Sequence, residues 1–348
     1  MGVDSKAIAS MKVLPPYLIF LGDAPDRLIA KTGAGIADWA PERCAGQLRL
    51  SAGTVDLGLP DMTIEAARAA GVKTLVVGTA SPGGAMDDRW LDVFRAALEA
   101  GLDIAAGLHI RLNSLGALRA LADATGCKLT DLRDPPPGLP IGSGLPRSGH
   151  RVLTVGTDCA VGKKYTALAL WRALCERGVD ADFCATGQTG VLISGRGFAI
   201  DSVIGDFMSG AAEVLAPAAG ADHWDVIEGQ GSLFHPAYAG VSLGLLHGAQ
   251  PEAVVLCHQA GRDKIAFFDG YPTPALETAI ARNLEAARLT SPDCYCAGVS
   301  LNTAGLDAAA AEALIAETAA RLGLPVIDPV RTGGGAIADR LLQGRGEA

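Results

Sequence analysis

Residues Gly156 to Thr166 read GTDCAVGKKYT and lie between an apolar run, Val152 to Val155, and an amphipathic one. Glycines at this point let the backbone turn its N–H groups inward. A following helix adds its positive end, and Lys163 supplies a point charge. The chemistry implied is phosphate binding. Against the pattern G-x-x-x-x-G-K-[ST], counted back from Gly162 and Lys163, the first glycine slot holds Thr157 and the hydroxyl slot holds Lys164. The Ser or Thr normally in that last slot binds Mg²⁺, and an ammonium cannot be a metal ligand. Thr166 comes two positions later and points elsewhere on the helix. Two lysines can instead neutralise phosphates directly, which favours a cofactor held by its phosphates but not cleaved there.

General-base candidates follow later in the chain. Glu228 closes the apolar run of DVIEGQGSLF, His235 lies in SLFHPAY, and His258 ends VVLC. Each is located where a strand end can present a base, although a loop histidine is often only structural. The turn EGQG can offer N–H groups to an oxyanion. His109 in GLH stands at another strand end and reads first as a structural histidine.

These groups need elements to position them. Upstream, PYLIFLGD reads as a strand, and 72–84 (VKTLVVGTASPGG) as a buried strand with a Gly/Pro loop. The segment 87–101 places apolar residues at 90, 91, 94, 97 and 98 on one helical face that stops at Gly101. LDIAAGLH and LGALRALADATG give a further strand and helix. The clearest seam is Arg133 to His150, where five prolines and four glycines exclude a helix or a central strand. Beyond it the alternation resumes: RVLTV, the loop, the helix YTALALWRALCERG, then ADFCATG, WDVIEGQG and AVVLCHQAGR. A helix around 275–289, the strand CYCAGVSLN, a helix around 307–322 and LPVIDPV complete it. The reading is an α/β chain: a Rossmann-like parallel-sheet domain over 1–134, a Pro/Gly-rich linker at 135–150, and a P-loop NTPase-like α/β domain over 151–348. No G-x-G-x-x-G opens a helix in the first domain, so that fold alone licenses no dinucleotide. Whether this domain completes the pocket or builds an oligomer interface is left open.

Composition narrows the class. The 348 residues carry a formal charge of −9, with no basic excess to neutralise nucleic acid. The eight cysteines are scattered without a CxxC, which reads as reduced thiols in a cytoplasm and not as a zinc site or disulfide framework. No run reaches the roughly 18 apolar residues that span a bilayer. A cytoplasmic enzyme acting on a small molecule, as a homo-oligomer, is expected.

The pattern GTD-x-x-VGK resembles dethiobiotin synthetase and its relatives, whose loop also has threonine in the first glycine slot. That likeness implies a magnesium role for Glu228 in DVIEGQGSLF, and a nucleotide-base contact for Asn302 in AGVSLN. At whole-chain scale the sequence resembles the two-domain bacterial family of D-glutamate N-acetyltransferases, domain-of-unknown-function family 1611. The resembling segments are AKTGAGI, TLVVGTASPGG, AGLDIAAGLH, GTDCAVGKKYTALAL, ATGQTGVLISGRG, DSVIGDFMSGAAE, IEGQGSLFHPAY, CHQAGR and DPVRTGG. The family likeness implies acetyl transfer from acetyl-CoA to the amino group of D-glutamate. The loop residues Gly156, Thr157, Asp158, Gly162, Lys163, Lys164 and Thr166 would then hold the CoA phosphates, with Asn302 as a further cofactor contact.

An acidic substrate calls for fixed cations, best met by arginine forks. Arg262 in HQAGRDK, Lys264, and Arg331 in PVRTGGG are the candidates, with Gln188 and Thr189 in ATGQTG as polar contacts. Asp206 in GDFMSG suits the amino group, or equally a helix cap. The competing reading is an ATP- and Mg²⁺-dependent ligase or kinase that activates a carboxylate, supported by Glu228 and opposed by Lys164. A nucleotide sensor without turnover is a third.

Overall fold

The structure, a computed structural model, describes residues 13–79 and 87–344. The Gly/Pro loop of GTASPGG, read as a strand-end feature, falls mostly outside them. The described chain divides into two compact units. One holds the residues up to Pro135 together with Gln188–Ser202, and the other holds Pro136–Gly187 and the residues from Val203 onward.

In the first unit five strands form a parallel sheet: β1 (Tyr17–Gly22), β2 (Cys44–Arg49), β3 (Thr74–Val77), β4 (Asp103–Ala106) and β5 (Leu129–Asp131), in the order β2-β1-β3-β4-β5. Every β1 residue is buried, as a strand covered on both faces requires. Helices α1 (Lys31–Trp39), α2 (Ile64–Ala69), α3 (Asp88–Glu99) and α4 (Gly116–Thr125) join them. In α3 the expected stripe forms: Asp87 caps the Arg89 N–H, and Trp90, Phe94, Ala97 and Leu98 are buried. Trp90 and Phe94 meet Phe20 edge-on at 5.3 and 5.8 Å. Gly101 follows in the left-handed region, φ 83°, where a side chain is disfavoured.

A short return from later in the chain completes this unit. Helix α6 (Gln188–Ser194) buries Val191, Leu192 and Ile193, and Tyr17 Oη donates to Leu192 O at 3.3 Å. Arg133 pairs with Asp201 at 2.9 Å. The apolar pattern of GVLISGRGFAI announces a core but not which core, so this insertion was not visible in the spacing.

The second unit is built on six parallel strands. They are β6 (His150–Gly156), β7 (Ala181–Cys184), β8 (Trp224–Ile227), β9 (Ala253–Gln259), β12 (Tyr295–Asn302) and β13 (Val326–Ile327), ordered β13-β12-β9-β6-β8-β7. Helices α5 (Lys163–Glu176), α7 (Met208–Leu215), α8 (Ala239–Ala249), α9 (Leu276–Ala287), α10 (Ala308–Leu322) and α11 (Gly335–Gln343) connect them. A hairpin of β10 (Lys264–Ile265) and β11 (Phe268–Pro272) extends beyond β9. Its strands are too short to show period-2 alternation, which is why the sequence does not announce it.

The Pro/Gly crossing is pinned to this unit. Arg147 donates to Ala216 O and Gly248 O, both at 2.6 Å, and Glu213 accepts from the Ser143 N–H at 2.9 Å. Strand β6 lies between β9 and β8, so the connections diverge at its carboxyl end. In sheets of this kind that divergence opens the crevice where ligands bind.

Candidate active site at the glycine-rich loop

Strand β6 ends at Gly156, the loop turns through 157–162, and α5 begins at Lys163. Gly162 adopts φ 107°, open only to glycine, and its α-carbon faces Asn302, whose Cβ lies 3.8 Å from where a Gly162 Cβ would be. Lys163 is buried, and its Nζ donates to Asp158 O at 2.8 Å. Burial pushes the Lys163 ammonium down from its usual range, while Cys159, Cys257, Asp158 and Glu228 nearby oppose that shift.

Asp158 anchors the loop. Its carboxylate accepts from Arg262 Nη1 at 2.7 Å, from the Cys159 N–H at 2.6 Å, and from the Ala266 N–H of the hairpin at 2.8 Å. Arg262 also donates to Cys159 O and to Gln259 Oε1. Its guanidinium is thus committed to holding the loop in this structure. Thr157 is buried and its Oγ1 is 2.9 Å from His258 Nδ1. Burial first, and then Arg262, hold His258 below the ordinary histidine range, so it is neutral at pH 7.

Glu228 follows β8. It is buried, and its Oε2 accepts N–H bonds from Thr186 and Gly187, both 3.1 Å. Burial pushes its carboxyl up to about 7, against the pull of Lys164, the two amides and Lys163. A carboxyl poised there can exchange a proton near neutral pH, as a general base must. Gly229 lets the strand end approach β6: a Cβ would stand 1.6 Å from Thr154 O. His235 is buried, stacked on Tyr238 at 4.5 Å and met edge-on by Phe268 at 5.1 Å. Its Nδ1 accepts the Ala237 N–H at 3.1 Å, which leaves the neutral ring protonated on Nε2. Held this way, His235 is a donor at Nε2; the sequence offered it as a base.

Thus Thr157, Asp158, Lys163, Lys164, Glu228, His235, His258, Arg262 and Asn302 all come from the loop and the strand ends around β6. The remaining candidates lie elsewhere. Thr166 is fully buried, donating to Gly162 O at 3.0 Å and lying 2.7 Å from Ser300 Oγ, so its hydroxyl ties α5 to β12. Gln188 and Thr189 belong to the first unit, where both donate to Thr32 Oγ1. Asp206 is exposed in the single-turn 205–207 helix. Arg331 donates to Leu306 O at 2.7 Å, Lys264 pairs loosely with Asp269 at 3.7 Å, and His109 is exposed. The hydroxyl slot supplies no Mg²⁺ ligand: Lys164 fills it, and the nearby Thr166 hydroxyl is already used, which leaves Glu228 as the carboxyl that would hold the ion. The amides of Thr186 and Gly187, and the thiol of Cys159, were not singled out from sequence. Cys159 sits inside the loop, and its spacing from the other cysteines carries no signal that sets it apart.

A parallel sheet with a glycine-rich loop and lysine at its first strand-to-helix turn defines a P-loop α/β unit, here accompanied by a Rossmann-like one. The chain belongs to the DUF1611 family: residues 140–338 match its P-loop domain and 42–135 its Rossmann-like domain, each described as a domain of unknown function. It is 48% identical over 326 residues to a D-glutamate N-acetyltransferase of Tritonibacter scottomollicae, covering 94% of this chain and 98% of that protein. It is 46% identical over 323 residues to a D-glutamate N-acetyltransferase of a Pseudoalteromonas species, covering 93% and 97%. The crystal structure of a DUF1611 family protein from Anabaena variabilis superposes with a TM-score of 0.84 at 34% identity, over 94% of this chain and 99% of that one.

Proposed function

We propose that this protein transfers an acetyl group to the amino nitrogen of D-glutamate, with acetyl-CoA as donor. The observation that carries the chemistry is Glu228, a buried carboxyl at a strand end whose pKa stands at about 7 beside Lys163 and Lys164. Amide formation needs the substrate ammonium to lose a proton and the carbonyl oxygen to be supported as charge develops. Glu228 takes the proton. The lysines and the His235 Nε2–H supply positive charge and a donor where the oxyanion forms. The name borne by two nearly full-length relatives supplies the substrate.

The donor binds against the glycine-rich loop. Its diphosphate would suit two ammonium groups, and its thioester would suit the base and donor gathered there. These uses separate kinetically: loss of Lys163 raises KM for acetyl-CoA in the first and lowers kcat in the second. No disulfide joins the eight cysteines, which fits a reducing cytoplasm, and among the described residues no helix is long and apolar enough to cross a membrane. The test is to incubate the protein with D-glutamate and acetyl-CoA, and separately with ATP and Mg²⁺, following thiol and phosphate release. Thiol release that depends on D-glutamate and survives EDTA is expected. Phosphate release that requires Mg²⁺, with no thiol release, would sink the reading.

A further inference from the structure

We propose that Cys159 is the nucleophile that carries the acetyl group between donor and acceptor, as a thioester on its sulfur. This rests on the acetyl-transfer reading above. Cys159 Sγ, a ring nitrogen of His235 and a carboxylate oxygen of Asp158 lie within 4.8 Å of one another. Cys159 is partly exposed, unlike the buried Cys257 and Cys296 of the same unit.

His235 gives the second, independent sign of a ligand. Its side chain is nearly inaccessible at 1% exposure, its Nδ1 is taken by the Ala237 N–H, and Nε2 has no hydrogen-bond partner among the described residues. A buried donor left unmade costs about 1–3 kcal/mol, a cost removed when a bound carbonyl accepts it. The ring is clamped by Tyr238 and Phe268, so it cannot swing away to find another partner.

Two cations, Lys163 and Arg262, stand beside the Cys159 backbone, against the single Asp158 carboxylate that Arg262 pairs with. Lys163 Nζ donates to the Asp158 carbonyl, which is peptide-bonded to Cys159, and Cys159 is the strongest of the charge partners acting on that buried lysine. Arg262 donates to the Cys159 carbonyl at 2.8 Å. Thiol, imidazole and carboxylate also make a possible metal-ligand set. Here the adjacent Lys163 and Arg262 repel a cation, and Asp158 already accepts three hydrogen bonds. The same cations favour a thiolate.

The steps balance as two thioester-level transfers. The partly exposed Cys159 thiol gives its proton to water, and the sulfur attacks the donor carbonyl while Lys163 stabilises the thiolate. The new Sγ–C bond forms as the C–S bond to CoA breaks, and the proton returns to the departing CoA thiolate. The D-glutamate ammonium first releases one proton to solvent, and the neutral amine then attacks the Cys159 thioester. Glu228 takes one amine proton, the C–N bond forms, the C–Sγ bond breaks, and the proton passes to the restored thiolate. Because Cys159 belongs to the loop, the loop meets the donor's thioester, and Lys163→Ala lowers kcat more than it raises KM.

The test is to mix the full chain with acetyl-CoA alone, quench in acid, and measure intact mass and the mass of the Cys159 peptide. One acetyl group on Cys159, removed when D-glutamate is added, is expected, with parallel double-reciprocal initial-rate lines. Cys159→Ala should lose activity by about a thousandfold or more while keeping its circular dichroism spectrum. A wild-type enzyme that turns over with intersecting lines, and carries no acetyl on Cys159 at any quench time, overturns the proposal and leaves the acetyl-transfer reading intact. Near wild-type kcat in Cys159→Ala does the same. Absence of D-glutamate-dependent thiol release from the wild type removes both.

Discussion

Arg262 Nη1 donates to Asp158 Oδ2 at 2.7 Å, and the Asp158 side chain has no exposed surface. A buried carboxylate stripped of its cation costs about 3–5 kcal/mol. Arg262→Met should therefore lower the melting temperature markedly, and adding Asp158→Asn should recover part of the loss. Thermal unfolding of the single and double variants measures this. An unchanged melting temperature with a raised KM for D-glutamate would instead assign the guanidinium to the substrate carboxylate.

Glu228 sets the pH response. Its folded-state pKa of about 7 stands above the ordinary 4.5 because burial disfavours the charged form. The native state thus binds the proton more tightly than the unfolded chain between about pH 4.5 and 7. Stability from this group is present below that window and is lost as pH rises through 7. At 1.36 kcal/mol per pH unit the shift corresponds to about 3 kcal/mol, an order-of-magnitude figure. Glu228→Gln should match the wild type in melting temperature near pH 4.5 and exceed it at pH 8. Activity runs the other way: kcat/KM of the wild type should rise through pH 7 as the base ionises, and the variant should be slow and lack that limb. A wild-type profile flat from pH 6 to 8 would remove Glu228 as the base.

Lys164 is the strongest of the influences pulling the Glu228 pKa down. Lys164→Ala should move the acidic limb of kcat/KM upward by up to about one pH unit, while Lys164→Arg should leave it in place. Profiles of the two variants side by side decide this, and coincident limbs for Ala and Arg would count against the coupling.

The two α/β halves were legible because strand and helix periods alternate cleanly and the central strands are buried on both faces, as in TLVV and RVLTV. The loop was legible because glycine, lysine and their spacing are local. What the spacing could not carry was the assignment of side chains to neighbours distant in sequence. Thr166 has the residue type of a phosphate ligand, yet helical geometry turns it onto Ser300, 134 positions away. Gln188 and Thr189 follow a strand of the second unit, and the next turn of chain packs on Thr32 of the first. Arg262 has the chemistry of a substrate fork, but a buried aspartate 104 positions upstream takes it. The role of His235 depends on one backbone amide, that of Ala237, which fixes its tautomer.

Gly229 tests how tightly the base is positioned. It follows Glu228 directly, and its N–H donates to Thr154 Oγ1 at 2.8 Å. A Cβ there would stand 1.6 Å from Thr154 O and 3.1 Å from Lys163 Cδ, and a backbone carbonyl of a central strand cannot step aside cheaply. Gly229→Ala must push the end of β8 away from β6, carrying the Glu228 carboxyl off its Thr186 and Gly187 amides and away from the lysines. Displacement of about 1 Å at a reacting group costs on the order of a hundredfold in rate. Gly240, near the start of α8, is the control: nothing lies within 4 Å of its Cβ position, and alanine there should stabilise by up to about 1 kcal/mol. The expected pair of results is a lower melting temperature with a large loss of kcat for Gly229→Ala, and a slightly higher melting temperature with unchanged kcat for Gly240→Ala. Equal kcat in the two variants would mean that the acetyl-transfer step does not depend on where the end of β8 holds Glu228.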